Sequence, residues 1–398
     1  MKKRILLLTP YFPYPPIHGG AVRISNLMKH LSKKYDIYLL SFVKNEEEAL
    51  FSFDLKKRTG CKDIFPVLLQ AHPSSSSHID TPWEDRYFSH EMVDILKDII
   101  KTYKIDLVQI DFIVMANYAN HISGIPVIFT EHDTSNLTFE KSIHYRELND
   151  TDRRRDWERL ISYEHKICRK FNKIIVLTPE DKQQLQDFLK YKTDIRVIQT
   201  GVDIKYFKSQ NAPSVKYPTI TYLGHYLHYP NHDAILYFYK EMFPAISKQV
   251  PGVKLHIVGS GPTKEILELQ SDPRVTVTGE VPDVREYLRK STVFIAPLRV
   301  GGGIKGKILE AMAMKVPVVA NKLGASGIPA VDGKEILIAQ TTEDFTAKTV
   351  LLLKDSNLRK NIAGNARKFV EKNYDWNLIS KTLSKLYDET LNTPQGLS

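Results

Sequence analysis

Apolar residues along this chain gather in short continuous runs, separated by longer stretches where they recur every three or four positions. The first run, Arg4-Ile-Leu-Leu-Leu-Thr9, has no polar alternation, as a central parallel strand covered on both faces requires. It predicts a first strand, and comparable runs predict others at Asp36–Phe42, Ile64–Leu69, Asp106–Ile110, Pro126–Thr130, Lys173–Leu177 and Ile195–Ile198. Helical spacing lies between several of them: at Ala21–Lys34, with Val22, Ile24, Leu27, Met28 and Leu31 inward, at Glu91–Tyr103 and at Arg153–Phe171. A second set of strand-like runs follows at Thr219–Leu223, Val253–Val258, Arg274–Thr278, Thr292–Ala296, Val316–Ala320 and Glu335–Ile338. Strands alternating with helices predict an α/β fold with parallel sheets, and two such sets predict two doubly wound domains. Their expected bounds are residues 1–200 and 218–375, joined by a linker at 201–217 that is polar from Lys208 and carries Pro213. Helices are expected at Asp355–Lys372 and Trp376–Leu391, and Pro73–Asp85, with four consecutive serines, reads as an irregular loop.

The chemistry concentrates in Arg299-Val-Gly-Gly-Gly-Ile-Lys-Gly-Lys-Ile-Leu-Glu310 and the run that follows to Ala320. Gly301, Gly302 and Gly303 follow a strand-like run, and without Cβ atoms their backbone amides can approach a ligand. Helical spacing begins at Ile304, so free amides and the positive end of a helix dipole would suit a phosphate. Lys305 and Lys307 add positive charge there, and Glu310, about two turns inside, is a carboxylate placed for hydroxyls. Amides for phosphate and an acid for a diol suggest a nucleoside diphosphate attached to a sugar. Gly301-x4-Gly306-Lys307 has Walker A spacing, but Ile308 stands where the magnesium-binding Ser or Thr belongs. A glycine turn that holds no ligand is the plain alternative.

Two weaker signals lie in the first half. His18-Gly19-Gly20 joins the first strand to the first helix, another cradle for an anion, and a tight turn is the alternative. Glu131-His132-Asp133 follows the strand that begins at Pro126, at the carboxyl end where open α/β sheets place their ligands. A structural histidine is the competing reading. The helix opening Asp152-Arg-Arg-Arg-Asp-Trp-Glu158 reads as a solvated face, with a phospholipid headgroup contact as the minority reading.

At 398 residues the chain exceeds one typical core of about 100–200 residues, in line with two domains. The net charge of +10 suits anionic ligands such as nucleotide-sugars or an anionic membrane surface, and no zinc-finger, RNA-binding or basic-zipper pattern supports nucleic acid. Cys61 and Cys168 are far apart, which argues against a disulfide framework. The apolar run after Lys2-Lys-Arg4 ends at Pro10, too early for a signal peptide, and nothing approaches the roughly 20 apolar residues of a spanning helix. These features predict a cytoplasmic protein with a peripheral contact on the inner membrane face.

The stretch Gly301–Ala320 resembles the signature of the retaining glycosyltransferases of family 4. The resemblance implies the GT-B fold, two Rossmann-like domains facing a cleft, with the last helix, 376–392, crossing back to the first domain. The family's Glu-x7-Glu places its second Glu at Glu310 and its first at Gly302, within a Gly-Gly-Gly variant found in many relatives. The resemblance further implies His132 as the active-site histidine that hydrogen-bonds the donor sugar, with Glu310 on the ribose. It implies donor contacts from Gly19, Gly20, His225, Gly261, Val281, Gly302, Gly303, Ile304, Lys305 and Lys307. Many members carry an Arg and a Lys at the positions of His225 and Pro230, so both cations are missing, and Lys305 and Lys307 are expected to replace them.

The expected activity is therefore transfer of a sugar, with retention and without a metal or other cofactor, from a nucleotide-sugar to a glycan, lipid-linked or small-molecule acceptor. A nucleotide-sugar epimerase of the same layout and a catalytically degenerate partner subunit stay open as alternatives. A dinucleotide-dependent dehydrogenase is disfavoured because Gly-x-Gly-x-x-Gly is absent after the first strand.

Overall fold

The computed structural model describes residues 1–69, 85–137, 150–208 and 217–393. Residues 73–84 of the predicted loop and 209–216 of the predicted linker lie outside the described residues. The chain divides into two compact units, the first built from residues 1–199 and 376–398 and the second from residues 200–375.

Unit 1 holds a seven-stranded parallel sheet: β1 (Arg4–Thr9), β2 (Asp36–Val43), β3 (Asp63–Leu68), β4 (Leu107–Asp111), β5 (Val127–Thr130), β6 (Lys173–Val176) and β7 (Ile195–Val197). Their order across the sheet is β3-β2-β1-β4-β5-β6-β7. β1 pairs in parallel with β2, Ile5 opposite Ile37, and with β4, Ile5 opposite Leu107. The unbroken apolar run of β1 has a direct cause. Successive side chains point to opposite faces, and both faces are covered: Leu6 and Leu8 join one buried cluster while Ile5 and Leu7 join the other.

Helix α1 (Gly19–Leu31) follows β1 and buries Ile24, Leu27, Met28 and Leu31. It begins two residues before the expected start because His18 caps it, its Nδ1 accepting from the Ala21 amide at 3.4 Å.

The chain returns to this unit in helix α2 (Trp376–Asn392), which presents an apolar stripe of Trp376, Ile379, Leu383, Leu386 and Tyr387, with the i, i+3, i+4, i+7 spacing of one buried face. The stripe packs into the same cluster as α1. Lys34 and Tyr35 fasten it further, since the Tyr35 hydroxyl meets Ser384 O at 2.9 Å and Asp388 Oδ1 at 2.8 Å.

Unit 2 repeats the plan with six parallel strands: β8 (Thr219–Leu223), β9 (Lys254–Val258), β10 (Val275–Val277), β11 (Val293–Ala296), β12 (Val318–Asn321) and β13 (Leu337–Ala339). Their order is β10-β9-β8-β11-β12-β13. In both sheets the strand order reverses beside the first strand, between β1 and β4 and between β8 and β11. Open α/β sheets bind ligands outside the carboxyl ends of the strands at such a point.

Residues 202–207, within the segment expected as linker, are held against unit 2. The Val202 amide donates to Tyr374 O at 2.8 Å, and Arg367 donates to Ile204 O at 3.0 Å and Phe207 O at 2.6 Å. Cys61 and Cys168 are free thiols, both buried. Among the described residues no helix is long and apolar enough to cross a membrane.

Candidate functional site

Each unit carries polar groups at its switch point, and the two sets differ in chemistry. In unit 1 the strand ends bring together Asp111, Phe112, His132 and Gly20. Phe112, directly after β4, has a left-handed φ of 72°, a backbone position that a bulky residue seldom adopts. Its amide donates to Thr130 O at 3.0 Å, and the turn lays its ring flat on the His132 imidazole, with centroids 3.7 Å apart and planes 9° apart. His132 Nε2 lies 2.8 Å from Asp111 Oδ1, and both side chains are buried. A carboxylate only accepts, so Nε2 carries the proton and the neutral ring presents the Nδ1 lone pair. Burial lowers the pKa of His132, and the hydrogen bond and charge of Asp111 act against that fall.

Gly20 is required here by close approach, since a Cβ would sit 1.8 Å from Tyr11 Oη and 2.9 Å from Phe112 Cζ. Tyr11 in turn packs edge-on against both His18 and Phe112. Gly19 has no such neighbour and stands exposed in the first turn of α1.

In unit 2 the loops after β8 and β9 interlock. Gly224 N donates to Val258 O at 3.0 Å, and Tyr226 N to Ser260 O at 2.9 Å. Gly259 has φ 133°, and a Cβ there would meet Gly224 O at 1.9 Å. Gly261, with φ 65°, lies against Leu227 and His225. His225 Nδ1 hydrogen-bonds Ser260 Oγ at 2.9 Å. The glycine turn after β11 enters α3 (Gly306–Ala313), two residues beyond the expected helix start, and no side chain caps its first turn.

The two lysines of this turn take different positions. Lys305 folds back onto the turn and donates from Nζ to Gly302 O at 3.0 Å, Gly303 O at 2.7 Å and Ser326 Oγ at 3.1 Å. Lys307 reaches instead to the carboxyl end of β8. Its Nζ lies 3.1 Å from Tyr222 Oη, 2.6 Å from Asn231 Oδ1 and 4.3 Å from the centre of the Tyr222 ring. Asn231 also donates to His225 O at 2.9 Å, so one amide joins Lys307 to the loop that carries His225.

Burial lowers the Lys307 pKa to about 7, with the charge of Glu310 opposing the fall. Burial likewise raises Glu310 to about 7, with Lys307 opposing the rise. Glu310 sits one turn beyond Lys307, on the same side of α3. Ile304 and Val281 are partly buried against the apolar cluster under this helix.

The structure thus brings Gly20 and His132 together in unit 1, and joins His225, Gly261, Lys307 and Glu310 through adjoining loops in unit 2. Sequence reasoning overlooked Asp111, Tyr222 and Asn231. A signal for Asp111 was present: Gln109 and Asp111 interrupt an otherwise apolar strand on one face, and buried polar groups require partners.

Two family models cover most of the chain, "Glycosyltransferase Family 4" over residues 17–206 and "Glycosyl transferases group 1" over residues 217–355. The capsular polysaccharide biosynthesis glycosyltransferase CapM of Staphylococcus aureus is 27% identical over 248 residues, covering 59% of this chain and 61% of that protein. The chain spans about half the length of the curated relatives it matches, between 44% and 61% for three of them. Solved structures align along nearly the full length. Sucrose-phosphate synthase from Thermosynechococcus elongatus matches with a TM-score of 0.75 at 16% identity, covering 98% of this chain and 99% of that one. Anabaena HepE, solved with UDP and glucose, matches with a TM-score of 0.70 at 15% identity, covering 97% and 100%.

Proposed function

The chain belongs to the group 1, family 4 glycosyltransferases of GT-B fold, and from that premise we propose that it moves a sugar from a nucleoside diphosphate to a hydroxyl of a glycan, lipid-linked or small-molecule acceptor, with retention at the anomeric carbon. The observation that carries this reading is the start of α3. An uncapped helix, a desolvated lysine and a carboxylate one turn on form an array suited to a diphosphate and a ribose.

In this reading the first amides of α3 and Lys307 stabilise the departing diphosphate, while Lys305 holds the glycine turn open for it. Glu310 accepts hydrogen bonds from the ribose hydroxyls, and Val281 lies near the base. Nδ1 of His132 accepts from a hydroxyl of the donor sugar. The bond from the anomeric carbon to the leaving phosphate oxygen breaks as the acceptor oxygen bonds to that carbon on the same face, and the acceptor proton passes to the phosphate. Amides, a lysine and a helix dipole supply the charge compensation, so the reaction as proposed uses no metal. The net charge of +10 supports a peripheral contact with an anionic membrane face where a lipid-linked acceptor resides.

A thermal-shift panel of UDP-, GDP- and ADP-sugars tests the reading, beginning with UDP-glucose because a structure of similar fold was solved with UDP and glucose. A donor at 100 times its Kd adds about 2.7 kcal/mol to stability. Stabilisation by one class of donor is expected, together with transfer of radiolabel to an acceptor. No stabilisation by any of them sinks the reading, and label recovered only in an isomerised sugar nucleotide replaces transferase with epimerase.

Glu310→Gln should weaken donor affinity about tenfold, because a neutral amide replaces a charge-assisted acceptor worth roughly 1.5–3 kcal/mol. Calorimetry with the stabilising nucleotide checks this. Unchanged affinity would remove Glu310 from the ribose.

A further inference from the structure

We propose that Gln109 and Tyr387 are positioning residues for His132, holding the Asp111 carboxylate so that it fixes the tautomer and plane of the imidazole. The final helix of the chain then becomes a working part of the sugar-binding half of the enzyme. The kinetic consequences rest on the role proposed above for His132.

The inference begins with Asp111, which is 1% exposed. A buried carboxylate is costly unless hydrogen bonds satisfy it. Its Oδ1 faces His132 Nε2 at 2.8 Å, and its Oδ2 accepts from Gln109 Nε2 at 2.8 Å. An amide that turns its NH2 group to a carboxylate must present its carbonyl the other way. There the Tyr387 hydroxyl donates to Gln109 Oε1 at 2.6 Å. The direction of every bond follows from the carboxylate, which can only accept. Tyr387 donates to Gln109, Gln109 donates to Asp111, and His132 donates from Nε2, which leaves Nδ1 without a protein partner among the described residues.

A leucine at 109 and a phenylalanine at 387 would occupy similar space without desolvating polar atoms. The chain of hydrogen bonds is therefore not explained by packing. It lies beside a further charge, the fully buried Arg23 of α1, which donates to Gln199 O while its Nε and Nη2 have no hydrogen-bond partner among the described residues. Arg23 works against protonation of His132, and Asp111 and Asp133 work for it. Tyr11 and Tyr387 also feel the Asp111 charge. Gln109 decides how much of that charge Asp111 turns on the imidazole, because removing one of its two donors concentrates the negative charge on the other.

The test uses the full chain carrying Tyr387→Phe, Gln109→Leu and Asp111→Asn, singly and with each of the first two combined with the third. Donor KM, kcat and the ring 15N spectrum of His132 are measured, the resonance being assigned by its loss in His132→Ala. The wild type is expected to carry its proton on Nε2. Tyr387→Phe should lower kcat about fivefold and Gln109→Leu about tenfold, with donor KM changed less than about twofold. In the Asp111→Asn background each should cost less than about twofold more, because the coupling partner is gone. His132 in Gln109→Leu should titrate at higher pH than in the wild type.

Tyr35→Phe serves as a control, since it removes the contacts to Ser384 and Asp388 and loosens the same helix without touching the chain of hydrogen bonds. Its kcat should match the wild type. Equal losses from Tyr387→Phe with and without Asp111 would overturn the proposal, as would an unmoved His132 titration in Gln109→Leu. If the wild type transfers no sugar, the 15N spectra still decide the proposal. If transfer is normal while His132 is unmoved, the proposal fails and the transferase reading stands.

Discussion

Lys307→Ala is expected to lower turnover about 100- to 1000-fold, the usual cost of removing one preorganised electrostatic contact at developing charge. Three contacts from the body of unit 2 hold the lysine: the Tyr222 hydroxyl, the Tyr222 ring and the Asn231 amide. None of the three supplies a negative charge, and Glu310 one turn on offsets only part of the desolvation of the ammonium. This explains why burial brings its pKa down to about 7. A diphosphate arriving beside it would favour the charged form, and binding would draw a proton from solution above neutral pH.

The sign follows for both binding and stability. Donor affinity of the wild type should fall as pH rises above about 7, and that dependence should be lost in Lys307→Ala. Without ligand, the unfolded lysine holds its proton up to its ordinary pKa near 10.4 while the folded one releases it near 7, so this residue makes stability rise with pH between those values. Glu310 works in the opposite direction at lower pH. Its pKa is raised to about 7, so its contribution to stability is present below about 4.3 and is lost as pH rises through 7. Donor affinity by calorimetry at pH 6.5 and 8.5, with single-turnover rates, checks these expectations. Turnover of Lys307→Ala within a few-fold of the wild type would remove the lysine from the leaving group. Lys305→Ala should act through the turn it ties rather than through charge at the ligand, because its head group is committed to Gly302 O, Gly303 O and Ser326 Oγ.

The second large effect is expected from His132→Ala, about 100-fold in kcat, the scale of a misplaced substrate. Stacking on Phe112 fixes the ring plane and Asp111 fixes the proton. In the proposed reading the imidazole is therefore oriented before the sugar arrives, and its loss should appear in kcat more than in nucleotide affinity. Nucleotide affinity itself should stay within about twofold of the wild type, because the proposed diphosphate contacts lie on α3. Steady-state kinetics with the donor identified by thermal shift, set beside the Kd of the nucleoside diphosphate alone, separates the two quantities. A mutant with wild-type kcat would show that His132 is a buried structural histidine.

Much of the site was legible because its signals are local. The glycine turn, Lys305, Lys307 and Glu310 lie within ten consecutive residues, and a strand, a turn and a helix declare themselves in order. What could not be read was which lysine faces the strand end. Residues two apart on a helix diverge, yet the structure settled the matter at the turn itself, where Lys305 precedes the first helical residue and bends back to the turn's own carbonyls. Lys307 found its partners 76 and 85 positions away, a separation to which no local pattern is sensitive. The first helix starts two residues earlier than its periodicity predicts for a related reason. Caps such as His18 depend on one hydrogen bond, which hydrophobic periodicity does not record.

By itself the sequence determined the two parallel sheets, because a strand buried on both faces must be apolar throughout, and that requirement is written at consecutive positions such as Ile5 to Leu8. It also marked the candidate site of the second unit, since glycines and charges at a strand end need no distant partner to be recognised. The tertiary structure alone decided what surrounds His132. Gln109 and Tyr387 are 278 positions apart, and only the docking of the last helix onto unit 1 brings them into contact. Hydrophobic burial is set by the sum of many interchangeable contacts and so leaves a periodic trace in the chain. A hydrogen bond between two buried side chains is set by a single pair of atoms, and it leaves none.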